Sequence, residues 1–160
     1  MLPRVLALVL DGIAVSFVYA LVELVVWVVG AWRGEPAVFE PAPQGVTFTT
    51  VNLVYFAWCW TGGGSLGQRA LRMYTLNASD ASLLSWNQAL LRWLYLYGPV
   101  ALVNVFFKAS AVGTTMYLAA VLFGWAYWLF LLWTAGRDPK HQGFHDVQAH
   151  TVVANVISPT

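Results

Sequence analysis

An all-α polytopic membrane protein with four transmembrane helices is the fold this sequence predicts, and three observations carry the prediction. Of 160 residues, 59% are hydrophobic and only 9% charged, whereas soluble domains carry about a quarter charged residues. The apolar residues fall into four runs, at residues 4–29, 46–61, 88–107 and 116–134, parted by Pro, Gly and charged clusters. The basic residues gather in the segments that such a four-span layout puts on one side, the pattern that orients helices with Lys and Arg inside.

The first run opens on Arg4 and carries Asp11 seven residues later. At 3.6 residues per turn these two lie two turns apart on nearly the same face, with Asp11 roughly 10 Å deeper. A central aspartate costs roughly 2.5–3.5 kcal/mol to insert, so Asp11 should face a partner or a water-filled cavity. Two readings stand for Arg4 and Asp11: a ligand site, or stabilisation of the helix end and of bundle packing. Glu23, rotated about 120° from Asp11 and near the far interface, reads as a snorkelling or loop-facing carboxylate. A cleaved signal peptide has an apolar core of about 7–15 residues; this run is longer and holds two acids, so it reads as a retained span.

Residues 31–45 hold Arg33, Glu35, Glu40 and prolines at 36, 41 and 43, a composition that makes the first loop. The second run, 46–61, is short for a span, and Tyr55, Phe56, Trp58 and Trp60 near its end suit an interfacial aromatic belt. Cys59 is the only cysteine, so no disulfide frame or cysteine metal site can form within one chain. Residues 62–67 are glycine-rich but lack the Gly-Lys-Ser/Thr ending of a phosphate loop. Arg69 and Arg72, three apart, are therefore expected on one side of a short interfacial helix, at lipid headgroups or against the C-terminal segment.

Residues 77–80 form a turn, and Ser82 or Ser85 is a candidate cap for the next helix. Pro99, after Gly98, kinks the third run, a defect that membrane helices tolerate, and Asn104 beyond it suits helix-to-helix hydrogen bonding. Residues 108–115 form a short loop, and Gly136-Arg137-Asp138-Pro139 ends the fourth run. With both termini inside, Arg4, Arg69, Arg72, Arg92, Arg137 and Lys140 lie inside against Arg33 and Lys108 outside, which favours this orientation. Residues 140–153 are too polar to span and form an amphipathic cytoplasmic segment, where Asp146 is placed to meet Arg4. His141 and His145 are four apart, but Gly143 lies between them and Gln142 stands where a metalloprotease helix needs glutamate, so no metal site is assigned.

These residues resemble the RDD family of small membrane proteins, named for one arginine and two aspartates. Arg4 and Asp11 match its first-helix pair in order and spacing, and His145-Asp146 with Ala149, Thr151, Val152 and Val153 is similar to its C-terminal signature. Leu66-Gly67-Gln68-Arg69 and Gln88-Ala89-Leu90-Leu91-Arg92 are similar to its middle segments. The chain departs from the pattern at Gln68, where lysine is usual, and at Arg72 and His150, where glycine is usual. The resemblance makes Arg4, Asp11 and Asp146 the signature polar residues, with Gly67, Arg69, His145 and Thr151 supporting them. It implies a single membrane domain over residues 1–160 in the bacterial inner membrane, and transport of ions or small solutes.

A formal net charge of +1 leaves no dense basic surface for nucleic acid. No serine, cysteine or metal constellation with catalytic spacing is visible, so no enzymatic activity and no cofactor are expected. Two functions remain: transport of an ion or small solute at a polar site on the first helix, or a structural or accessory role in which the Arg and Asp residues form a folding clasp. Four spans are few for a transport path, so transport implies a homo-oligomer or a partner subunit in addition to membrane lipid.

Overall fold

The computed structural model describes residues 2–34, 41–107 and 114–155. Glu35, Pro36 and Glu40 of the expected first loop, and Lys108 of the last, lie outside the described residues. Four long helices form the body. Helix α1 is Leu2–Arg33, α2 is Pro41–Thr61, and between them and the later helices sit a short helix α3, Leu66–Ala70, and a strand β1, Met73–Asn77. Helix α4 is Trp86–Leu102, α5 is Thr114–Arg137, and the chain continues through α6, Phe144–Gln148, to strand β2, Thr151–Asn155.

Each helix follows from its residues. Helix α1 is almost uniformly apolar and buries only Ala7, Asp11 and Val15, a single stripe at i, i+4 and i+8. Pro41 opens α2, the first-turn position where its missing N–H is harmless, so this part of the expected loop is helix. Ser85 caps α4 in a reciprocal box with Gln88, which satisfies two of the free first-turn donors. Helix α4 runs through Pro99 and then loosens into a π-helical turn at Val103–Phe107; proline removes one ladder donor, and a wider turn is a usual accommodation in an apolar helix.

Helix α1 packs on α2, α2 on α4, and α4 on α5. The core between them is largely aromatic: Phe56 stacks on Tyr97 at 4.8 Å, and Trp93 Nε1 donates to the buried Asn52 Oδ1 at 2.7 Å. The outer surface also carries many large apolar side chains. Phe17, Leu122 and Trp125 are 64%, 68% and 67% exposed, a surface that suits lipid and is hard to reconcile with water. Helices α1 and α5 are each long and apolar enough to cross a membrane.

The other elements gather at one end of the bundle. Strands β1 and β2 pair antiparallel, from Met73 opposite Asn155 to Asn77 opposite Thr151. The architecture is therefore mostly helical and not all-α. Arg72 falls outside α3 and lies in the left-handed region, with φ of 55°, so the interfacial helix expected to carry both arginines carries only Arg69. The C-terminal segment is a turn of helix followed by a strand. Both strands are five-residue runs holding Thr, Val or Tyr, residues that fit a pleated surface.

Candidate functional site

The polar end of the bundle is organised by two buried aspartates. Asp11, 2% exposed, is held by groups from α2 and from the segment after it. Tyr55 Oη and the Gly67 N–H donate to its Oδ1, each at 2.8 Å, and Ser65 Oγ donates to Oδ2 at 2.5 Å. Ser65 is also the N-cap of α3, in a reciprocal box with Gln68, and the Leu66 N–H donates to Tyr55 Oη at 3.2 Å. The carboxylate thus draws the first turn of α3 against α1, where its amides find an anion. Gly67 is required by this approach, because a Cβ there would lie 2.2 Å from the Ala7 carbonyl oxygen.

Asp146, in α6, is the second centre. Arg92 of α4 donates through Nη1 to Asp146 Oδ1 and, at 2.5 Å, to Thr151 Oγ1. The Gly143 N–H donates to Asp146 Oδ2 at 3.0 Å. Arg4 Nη1 stands 3.8 Å from Oδ2, an ion pair, while its hydrogen bonds go to the carbonyls of His141 and, at 3.0 Å, Val153. Arg4 therefore ties α1 to the backbone on both sides of α6, and Arg92 supplies the direct partner of the acid. The Arg92 guanidinium also lies 4.9 Å over the Trp60 ring, a cation–π contact in a dry site.

Charge follows from this packing. Burial pushes the Asp146 carboxyl up, but Arg92, the Gly143 N–H and Arg4 outweigh it and hold the group below its ordinary value. Burial pushes the His145 imidazole down to about 4, with Arg92 and Arg4 adding to the fall and Asp146 opposing it. His145 is neutral at pH 7, with Nε2 3.5 Å from Asp146 Oδ2 and Nδ1 without a partner among the described residues.

Between the two aspartates lies a cavity of about 110 Å³, walled by Arg4, Leu8 and Asp11 of α1, Trp60 of α2, Arg92 of α4, Leu131 of α5 and His145 and Asp146 of α6. It offers room for a few water molecules or one small solute. Its walls are mostly apolar, and the polar groups come from the two aspartate centres.

The structure thus brings Arg4, Asp146, His145 and Thr151 into one cluster and places Asp11 and Gly67 in an adjoining one. Arg69 is apart from both: it is exposed and donates to the Gly62 carbonyl at 2.7 Å. Sequence reading missed Arg92 as a site residue, although it ends one of the segments that carry the family resemblance. It also missed Tyr55 and Ser65, whose hydroxyls carried no signal apart from the geometry. Among the described residues no three His, Cys, Asp or Glu side chains converge as a metal would require.

A bundle with apolar outer faces, two helices able to cross a membrane, and its ion pairs gathered at one end points to a membrane location. The class it defines is a small helical membrane protein organised around buried Arg–Asp contacts. The chain belongs to the RDD family, which it matches over residues 1–150. No curated protein and no solved structure matches it.

Proposed function

We propose that this protein resides in the bacterial inner membrane, spans it four times with both termini cytoplasmic, and moves an ion or small solute by way of the cavity between Asp11 and Asp146. The observation that carries the reading is that one cavity is lined by all three signature residues, Arg4, Asp11 and Asp146. Intramembrane ionisable groups tend to line solute paths, and a space edged by charge yet mostly apolar can hold a solute weakly enough to release it. Four helices give a narrow path, so a second copy or a partner subunit would complete it. The reading assigns no enzymatic activity, cofactor or nucleic-acid partner.

A second reading is a folding clasp, and a specific observation favours it: Asp11 already accepts three hydrogen bonds, and Asp146 already has Arg92 and the Gly143 N–H. The two readings part on a cavity-filling change. Leu131 is 4% exposed and walls the cavity, so Leu131→Trp should abolish solute flux in proteoliposomes while the protein elutes as the native species in detergent. Flux by the wild type that Leu131→Trp leaves intact would remove the cavity from the path. Absence of flux for a panel of monovalent ions and small organic acids, with unfolding of Asp11→Asn, would leave the clasp as the function of these residues.

A further inference from the structure

We propose that the ends of α2 and α4, with the turn between α3 and β1, form a binding site for the headgroup of an anionic phospholipid, held by Arg69 and Arg72. The inference rests on the membrane location and not on transport, so it holds for either role of the cavity.

Both arginines are exposed, and among the described residues neither is paired with a carboxylate, the ion pairs all converging on Asp146. Arg69 spends one N–H on the Gly62 carbonyl; that bond fixes the guanidinium at the surface and leaves the rest of its five-donor fork free, a geometry suited to phosphate.

Exposed apolar and aromatic side chains lie close to Arg69 and to the glycine turn before it. Trp58 in the last turn of α2 and Trp86 at the start of α4 meet edge to face at 6.3 Å and are 68% and 53% exposed. A Cβ at Gly62 would lie 2.7 Å from Arg69 Nη2, and one at Gly63 would lie 3.3 Å from Leu83 and 3.4 Å from Tyr74, which sets these side chains beside the turn. Tryptophan and tyrosine settle at the level where hydrocarbon meets headgroup. The aromatic side chains therefore sit beside acyl chains and glycerol while the unpaired guanidiniums reach the phosphates. Uncompensated positive charge at that depth selects an anionic headgroup over a zwitterionic one.

The test is quenching of tryptophan fluorescence by brominated lipids in vesicles of phosphatidylcholine containing a minor fraction of phosphatidylglycerol. The Trp58 contribution is taken as the difference from Trp58→Phe. Brominated phosphatidylglycerol should quench this component at a several-fold lower mole fraction than brominated phosphatidylcholine. Each arginine near the surface contributes roughly fivefold, so Arg69→Gln with Arg72→Gln should erase the preference, and the Lys pair should retain most of it. Arg72→Gly is a second variant that removes charge at a position whose backbone already suits glycine, and it should lower the preference by itself. Arg137→Gln, which removes the cation over Trp133, should leave it unchanged. Equal quenching by the two lipids in the wild type, an unchanged preference in the double Gln variant, or an equal loss in Arg137→Gln would each overturn the site.

Discussion

At the scale of single residues, two of the three departures from the family pattern coincide with backbone strain. Arg72 and His150, at positions where glycine is usual in the family, have φ of 55° and 52°. In that region a side chain brings Cβ toward the neighbouring carbonyl, at a cost of about 1–2 kcal/mol. The expected result is that Arg72→Gly and His150→Gly each stabilise the protein by about 0.5–1 kcal/mol, after allowing for the greater chain entropy of glycine. Thermal unfolding in detergent measures it, and a lowered midpoint for both would refute the argument. Gln68, where lysine is usual, accepts from the Ser65 N–H at 3.0 Å and from Thr75 Oγ1 at 2.9 Å. An ammonium cannot accept either bond, so the substitution links the α3 cap directly to β1.

At the scale of elements, the C-terminal helix and strand are held to the bundle from two sides, and the two arginines do unequal work. Arg92 is 3% exposed and bonded to Asp146; Arg4 is 24% exposed and stands 3.8 Å away. Removing Arg92 leaves a buried carboxylate without its main partner, so Arg92→Ala should cost about 3–5 kcal/mol. Arg4→Ala should cost about 1–2 kcal/mol, the scale of its bonds to neutral carbonyls. A double-mutant cycle with Asp146→Asn should find the larger coupling for Arg92; equal couplings would show that the direct bond does not dominate. The same cluster sets the response to acid. An unfolded His145 takes up its proton near pH 6.5 and the folded one near 4. Between those values the unfolded state binds more protons, so stability is full above about pH 6.5 and falls by about 3 kcal/mol as pH drops toward 4. Asp146, depressed in the fold, adds a further loss at still lower pH. His145→Gln should flatten the fall between pH 6.5 and 4, and an unchanged fall in that variant would remove His145 as its cause.

At the scale of the whole molecule, apolar residues cover the outside, and the charged and hydrogen-bonding groups of the two aspartate centres share one end with α3, α6 and both strands. With Cys59→Ser as background, Gln142→Cys should react with an impermeant maleimide only in inverted membranes, and Gln44→Cys only in intact cells. Labelling of Gln142→Cys from outside would reverse the topology. The termini of α1 and α5 bear on the same point. Arg4 at the start of α1 and Arg137 in the last turn of α5 lie at the polar end, as expected if both helices cross and meet the same face.

The sequence by itself determined the apolar helical runs and the acids buried among them, because hydropathy, proline and charge act locally and are legible along the chain. Arg4 and Asp11 share a face by helical period alone, whereas the sequence left Ser82 and Ser85 both open as the cap of α4, and the structure selects Ser85. Only the tertiary structure decided what those residues touch. The pairing of β1 with β2, the capture of Asp11 by Tyr55, Ser65 and Gly67, and the choice of Arg92 over Arg4 as the direct partner of Asp146 all join residues far apart in the chain. Such contacts are selected by the packing of α1, α2 and α4 against one another, because a buried carboxylate takes whichever donors that packing brings within reach.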